Sequence, residues 1–146
     1  MAKIPIQDPR PRDPRGQGPK PDSEQTKITY PGFTADLRRK PDHGEESYQG
    51  LGRLRDRVAL ITGADSGIGK AVAIAFAREG ADVLLSYLPA EEDDATDTAQ
   101  WIEKAGRKAI KVSGDLQEES HYETLVKRAL TDFGKLDLLI NGLPSK

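Results

Sequence analysis

One run constrains this chain more than any other: Val58-Ala59-Leu60-Ile61-Thr62-Gly63-Ala64-Asp65-Ser66-Gly67-Ile68-Gly69-Lys70-Ala71. Val58 to Thr62 is a short continuous apolar run, the pattern of a strand covered on both faces. Three glycines follow at Gly-x-x-x-Gly-x-Gly spacing, and a helix begins near Gly67. Gly63 lets the chain turn sharply off the strand; Gly67 and Gly69 remove side chains where a pyrophosphate and the neighbouring strand approach. Such a turn offers free backbone N–H groups to an anion. The helix dipole adds about 0.3–1 kcal/mol in the same direction. A plain tight turn is the competing reading of the spacing alone. A nucleotide P-loop is excluded, because Ala64 stands where its first glycine belongs and Ala71 follows Lys70 where Ser or Thr is needed. Lys70 is then expected to face solvent in the first helical turn.

The pattern after this run repeats. Ile68, Val72, Ala75 and Phe76 recur at helical spacing and Gly80 ends the helix. Asp82 to Ser86 is a second buried strand. Glu91 to Ala105 is a helix with Ala95, Thr98, Ala99 and Ile102 on one face, ended by Gly106. Ala109 to Ser113 is a third strand. Glu118 to Phe133 is a third helix that buries Tyr122, Leu125, Val126, Ala129 and Phe133, ended by Gly134. Leu136 to Asn141 is a fourth strand. Strands and helices in strict alternation imply a parallel sheet with helices on both faces. Right-handed crossovers give the order 3-2-1-4 and put the ligand crevice at the carboxyl ends of strands 1 and 4. The fold class is therefore α/β, an incomplete Rossmann-type sheet, preceded by an extended tail.

That tail is residues 1–50. It holds eight of the ten prolines, and its only aliphatic side chains larger than valine are Ile4, Ile6, Ile28 and Leu37. Such a stretch buries too little apolar surface to offset the entropy of ordering. Asp8 to Asp22 alternates proline with charge and reads as a solvated polyproline segment. Residues 51–146 form the globular domain. A net charge of −2 with no basic field excludes nucleic-acid binding. The absence of cysteine excludes disulfides and thiol chemistry. No apolar run approaches the ~18 residues of a membrane span, and the N-terminus lacks a secretory pattern, so a cytoplasmic protein is expected. His43 and His121 lack ligand partners at metal spacing; His121 reads as a surface or cap residue. Glu91-Glu92-Asp93-Asp94 reads as a solvated first helical turn, and Trp101 as half-buried packing.

Thr62-Gly63-Ala64-Asp65-Ser66-Gly67-Ile68-Gly69 resembles the Thr-Gly-x-x-x-Gly-x-Gly cofactor motif of the short-chain dehydrogenase/reductase family. The likeness extends from Pro41-Asp42-His43-Gly44-Glu45 through Ala71–Val83, Ser86-Tyr87-Leu88-Pro89 and Gly114-Asp115-Leu116. These resemble the branch with a proline-rich N-terminal extension, described as general-stress or glucose/ribitol-dehydrogenase-like. The resemblance implies that Gly63, Ser66, Gly67, Ile68 and Gly69 cradle the phosphates of NADP or NAD. It implies that Asp115 and Leu116 face the adenine, and that Asn141 opens the motif bordering the cofactor after strand 4. Tyr87 holds the place where an acid would bond the ribose hydroxyls of NAD. That missing acid, with no arginine beside it, leans the reading toward NADP.

The chain departs from the family after Asn141, where Gly142-Leu143-Pro144 replaces Asn-Ala-Gly. The family's catalytic Ser and Tyr-x-x-x-Lys are not found: Tyr30, Tyr48, Tyr87 and Tyr122 are followed four residues on by Thr34, Gly52, Glu91 and Val126. A truncated cofactor-binding half is expected, without turnover alone and with roughly millimolar dinucleotide affinity. The family's homo-oligomer contacts are expected to be absent, leaving strand 4 open to edge-to-edge self-association. A non-catalytic nucleotide-binding or interaction module, or an inert gene remnant, are the other readings.

Overall fold

The computed structural model describes residues 34–37 and 40–142. The expected polyproline segment Asp8 to Asp22 lies outside the described residues. The elements follow in the order β1 (Val58–Thr62), α1 (Gly67–Arg78), β2 (Asp82–Tyr87), α2 (Glu92–Lys104), β3 (Ala109–Ser113), α3 (Glu119–Phe133) and β4 (Leu138–Asn141). All strand pairs are parallel and the sheet order is β3-β2-β1-β4, as the alternation predicts.

Register sorts the apolar residues to two faces. Ala59 and Ile61 of β1 lie opposite Val83 and Leu85 of β2, and this set packs under α1 and α2 with Ala73, Ala77, Ala99 and Ile102. Leu60 lies opposite Leu84, and with Val112 this second set meets Leu125 and Ala129 of α3. β1 and β2 are thus buried from both sides, the cause of their unbroken apolar runs.

The structure corrects several expectations about burial and element bounds. Ile68 is 85% exposed, and the buried stripe of α1 runs instead through Gly69, Lys70, Ala73, Ile74 and Ala77. Tyr122 and Val126 are exposed, because α3 has the sheet on one side only and its flank meets no other helix among the described residues. β4 begins at Leu138, two residues late. Asp137 instead closes onto β1, with its carboxylate accepting from Val58 N at 2.9 Å and its own N–H donating to Val58 O at 2.9 Å.

The packed body also reaches upstream of the boundary expected at residue 50. Glu79, at the C-terminus of α1, accepts from the Tyr48 hydroxyl at 2.5 Å and from Leu51 N and Arg53 N at 2.9 Å each. Arg78 donates to the carbonyls of Tyr48 and Glu45. Lys70 is buried rather than solvent-facing: its ammonium lies 2.5 Å from Asp97 and 3.4 Å from Glu45. Hydrogen-bonded charge, not apolar burial, holds this segment, which hydropathy alone does not register.

Candidate functional site

The crevice opens where β1 ends. Gly63 N and Ala64 N both donate to Ser86 O, at 2.8 and 3.4 Å, which ties the turn to the end of β2. The turn then doubles back. A side chain at position 69 would set its Cβ 1.9 Å from the Gly63 carbonyl oxygen, so only glycine lets α1 start this close to the strand. Gly67 has φ +52, and nothing lies within 4 Å of where its Cβ would stand. That opening lies at the N-terminus of α1. Ser66 is the N-cap residue, yet its hydroxyl donates to Asp65 at 2.8 Å and makes no cap hydrogen bond. The first N–H groups of the helix, which have no intrahelical acceptor, are left to the crevice. A glycine-lined opening beside an uncapped helix start fits a phosphate group.

β4 forms the other wall. Asn141 pairs with Thr62 and is exposed at the strand end. Thr62 Oγ1 accepts from Gly142 N at 3.0 Å, and its hydroxyl lies 3.2 Å from Gly142 O. A Cβ at 142 would fall 2.5 Å from Thr62 O. The glycine after Asn141 therefore suits the close approach of the two strand ends.

The far wall is the β3–α3 loop. Gly114 N donates to Tyr87 O at 2.9 Å, and Asp115 turns the loop by accepting from Gln117 N at 2.8 Å. Asp115 is exposed, and Leu116 is partly buried against the second core. His121, expected at the surface, is buried instead. Its Nε2 lies 3.1 Å from the Ser86 hydroxyl, and its ring occupies the space a Cβ on Gly114 would need, 2.3 Å away. His121 thereby sets the level of the Gly114-Asp115-Leu116 loop. The tyrosine ending β2 is also committed: Tyr87 is buried, its hydroxyl donates to Glu92, and burial pushes its pKa up to about 12.

Acidic groups gather at the corner between the glycine turn and α2. Buried Thr98 places its hydroxyl 3.1 Å from both Asp65 O and Asp94 O, joining the turn to the first turn of α2. A one-turn 3-10 helix, Pro89–Glu91, precedes α2, and Glu91 folds back to accept from Leu88 N at 3.2 Å. Burial raises the Asp65 carboxyl above the ordinary range, and the charge of Asp94 adds to this. Burial likewise raises Glu91, helped by the charge of Asp65.

The structure thus gathers Gly63, Ser66, Gly67, Ile68, Gly69 and Asn141 around the carboxyl end of β1, with Asp115 and Leu116 beyond β2. It turns the Tyr87 side chain to α2. Sequence reasoning placed Thr98 on the buried face of its helix, as found, but did not anticipate the burial of Asp65 or His121 or the fold-back of Glu91 onto Leu88 N. Among the described residues no group of three or more His, Asp or Glu could hold a metal ion, and no helix is long and apolar enough to cross a membrane.

Comparison with known proteins agrees with this geometry. The family model described as short chain dehydrogenase matches residues 57–143. An uncharacterized oxidoreductase of Escherichia coli (strain K12), YghA, is 49% identical over 128 residues, covering 88% of this chain and 44% of that protein. General stress protein 39 of Bacillus subtilis (strain 168) is 39% identical over 124 residues, covering 85% and 43%. A short chain dehydrogenase from Burkholderia cenocepacia J2315, solved in complex with NADP, superposes with a TM-score of 0.61 at 35% identity, covering 64% of this chain and 38% of that one. The chain spans less than half the length of these relatives.

Proposed function

The chain belongs to the short chain dehydrogenase family, and from that premise we propose that its crevice binds a nicotinamide dinucleotide, NAD or NADP. Gly63, Ser66, Gly67, Ile68 and Gly69 hold the phosphates. Asp115 and Leu116 face the adenine, Asn141 borders the nicotinamide end, and the end of β2 at Tyr87 lies by the adenosine ribose. The observation that carries this is the uncapped start of α1 behind the open space at Gly67, at the point where the strand order reverses. The bound cofactor supplies hydride transfer to or from a carbonyl or alcohol carbon.

What these residues supply is binding rather than proton transfer. Tyr87, at the end of β2, is buried and donates to Glu92, so we assign it no role as an acid. We therefore assign the 146-residue chain cofactor binding without turnover. Phosphate and adenine contacts alone support a dissociation constant of roughly 1 mM. Titration of the chain with NADH, followed by backbone amide chemical shifts, should move Gly67, Ile68, Gly69 and Asp115 together. Shifts confined elsewhere, a micromolar constant, or oxidation of NADH with a panel of carbonyl compounds would each count against this assignment.

Self-association is the second part of the proposal. Among the described residues β4 pairs with β1 alone, and Leu139, on the same face of the sheet as Leu60, is 55% exposed. An open edge of this kind invites pairing with a second copy. A monomer at all concentrations in sedimentation would dismiss it.

A further inference from the structure

Ser86, near the end of β2, is joined to both ends of the crevice. Its carbonyl oxygen accepts from Gly63 N and Ala64 N of the glycine turn, at 2.8 and 3.4 Å. Its hydroxyl lies 3.1 Å from Nε2 of His121, in the first turn of α3, and both residues are buried. The His121 ring also packs against Gly114. A Cβ at 114 would fall 2.3 Å from Nδ1 and Cε1 and 2.8 Å from Cγ, so all three of its nearest atoms belong to that ring. Gly114 is not one of the glycines with positive φ. Its backbone is open to alanine, and the demand for glycine comes from the imidazole. From Gly114 the chain runs straight into Asp115 and Leu116. Gly114 N on Tyr87 O at 2.9 Å and Glu118 N on Asp115 O at 3.1 Å hold the two ends of that loop.

We infer that His121 is a positioning residue for the adenine end of the crevice: held by Ser86 and wedged against Gly114, it sets the distance between the glycine turn and the Asp115-Leu116 loop. The inference rests on the dinucleotide reading proposed above, in which that loop faces the adenine. His121 itself touches no part of the ligand. An apolar side chain could fill the same volume beside Leu125 and Ala129, and a buried polar ring costs free energy unless it is hydrogen-bonded. What the imidazole adds is orientation, because its bond to Ser86 fixes the plane on which the loop rests. Two anchored points then span the crevice through one residue, the carbonyl of Ser86 on the turn and its side chain on the strut. A ligand bound at both ends needs that span to be right. A hydrogen bond weakens steeply once its geometry is lost. Loss of one such bond between the loop and the adenine corresponds to about tenfold in affinity.

The test titrates the 146-residue chain separately with NADH and with inorganic pyrophosphate, which reaches the glycine turn alone, and follows backbone amide shifts. His121→Ala should weaken NADH about tenfold and leave pyrophosphate within about twofold. His121→Gln, whose amide can reach the Ser86 hydroxyl, should restore NADH to within about threefold of the parent. Gly114→Ala should weaken NADH as His121→Ala does, and the double variant should lose about tenfold rather than about a hundredfold, since both changes break one contact. Should His121→Ala fail to fold, Ser86→Ala removes the other end of the strut by a single atom and carries the same split between the two ligands. Equal losses for NADH and pyrophosphate, additive losses in the double variant, or a NADH constant that the variants leave unchanged overturn the inference while the dinucleotide site stands. A parent chain that binds NADH but not pyrophosphate also overturns it, because turn and loop then do not divide the ligand. No binding of NADH, in a chain whose amide spectrum shows it folded, overturns the site and the inference together.

Discussion

The two faces of the sheet are built to different degrees. One carries two helices: α1 and α2 pack on Ala59, Ile61, Val83 and Leu85, and charged contacts fasten the segment around Glu45 and Tyr48 beside them. Among the described residues the other carries α3 alone, over Leu60, Leu84 and Val112, with Tyr122, Val126, Leu130 and Leu139 left exposed. The glycine turn and the start of α1 belong to the first face. The difference teaches where rigidity is concentrated: the phosphate end of the crevice stands on the densely covered face, and the β4 wall on the sparsely covered one.

The largest effect expected is at the junction of β1 and α1. Gly69→Ala drives a methyl group against the Gly63 carbonyl, and backbone lies on both sides of the contact. The cost should be about 3 kcal/mol or more, of the overpacking kind. Gly67→Ala meets no neighbour but must hold φ +52, at a cost of about 1 kcal/mol. Urea denaturation of the pair checks the ordering, and equal losses would mean that the turn is loose rather than close-packed.

Next in size are matched truncations on the two faces. Ile61 is fully buried among α1 and α2, so Ile61→Ala should cost about 4 kcal/mol. Leu125 is nearly as buried but stands on a helix with one open flank. That helix can settle inward, and Leu125→Ala should cost about 2–3 kcal/mol. The comparison of faces breaks if Leu125→Ala proves the more damaging change.

A third effect separates the charged fastening from the apolar core by pH. Although burial opposes it, hydrogen bonds from its own backbone and His43 with the Lys70 charge hold Glu45 at about 2; the Tyr48 hydroxyl and the Arg53 and Leu51 N–H groups hold Glu79 at about 2. Both stand below their ordinary 4.5, so their stabilisation is complete above that value and is lost as pH falls toward 2. Asp65 and Glu91 are raised by burial and then by neighbouring carboxylate charge and act with the opposite sign, gaining stability as they take up protons. Stability should therefore fall as pH drops from about 4.5 toward 2, with Asp65 and Glu91 blunting the fall. Hydrogen exchange should show the amides of Leu51 and Arg53, which donate to Glu79, losing protection before those of β1. Simultaneous loss would make the two fastenings a single cooperative unit.

Legibility followed the physics of each contact. Strand order and the glycine turn were readable because parallel strands covered on both faces and a close backbone approach each demand particular residues in sequence. Gly63, Gly67 and Gly69 show this directly. Lys70, His121 and Glu79 were not readable, because their burial depends on partners 25 to 35 residues away, Asp97, Ser86 and Tyr48 among them. Periodicity cannot register such partners. Tyr122 and Val126 were misplaced for a related reason: helical spacing identifies an apolar stripe but not whether anything covers it.

The smallest effect expected tests that last point. Val126 and Leu130 stand one turn apart on α3, 44% and 52% exposed, with Tyr122 one turn before them at 48%. Together they border a shallow hollow of about 650 Å³ with Glu123, Lys127 and Thr131. A side chain already half in water gains little from folding, so Val126→Gln or Leu130→Gln should change stability by less than about 0.5 kcal/mol. Their effect should fall on association instead, because apolar surface left open is available to another chain. Leu139 lies on the same face of the sheet, since it pairs with Leu60, and Leu139→Lys on the open edge should suppress self-association further. Sedimentation and urea denaturation measured on the same variants separate the two outcomes. A Leu130→Gln chain that loses several kcal/mol would place Leu130 inside the core, and the sheet would then be equally closed on both faces.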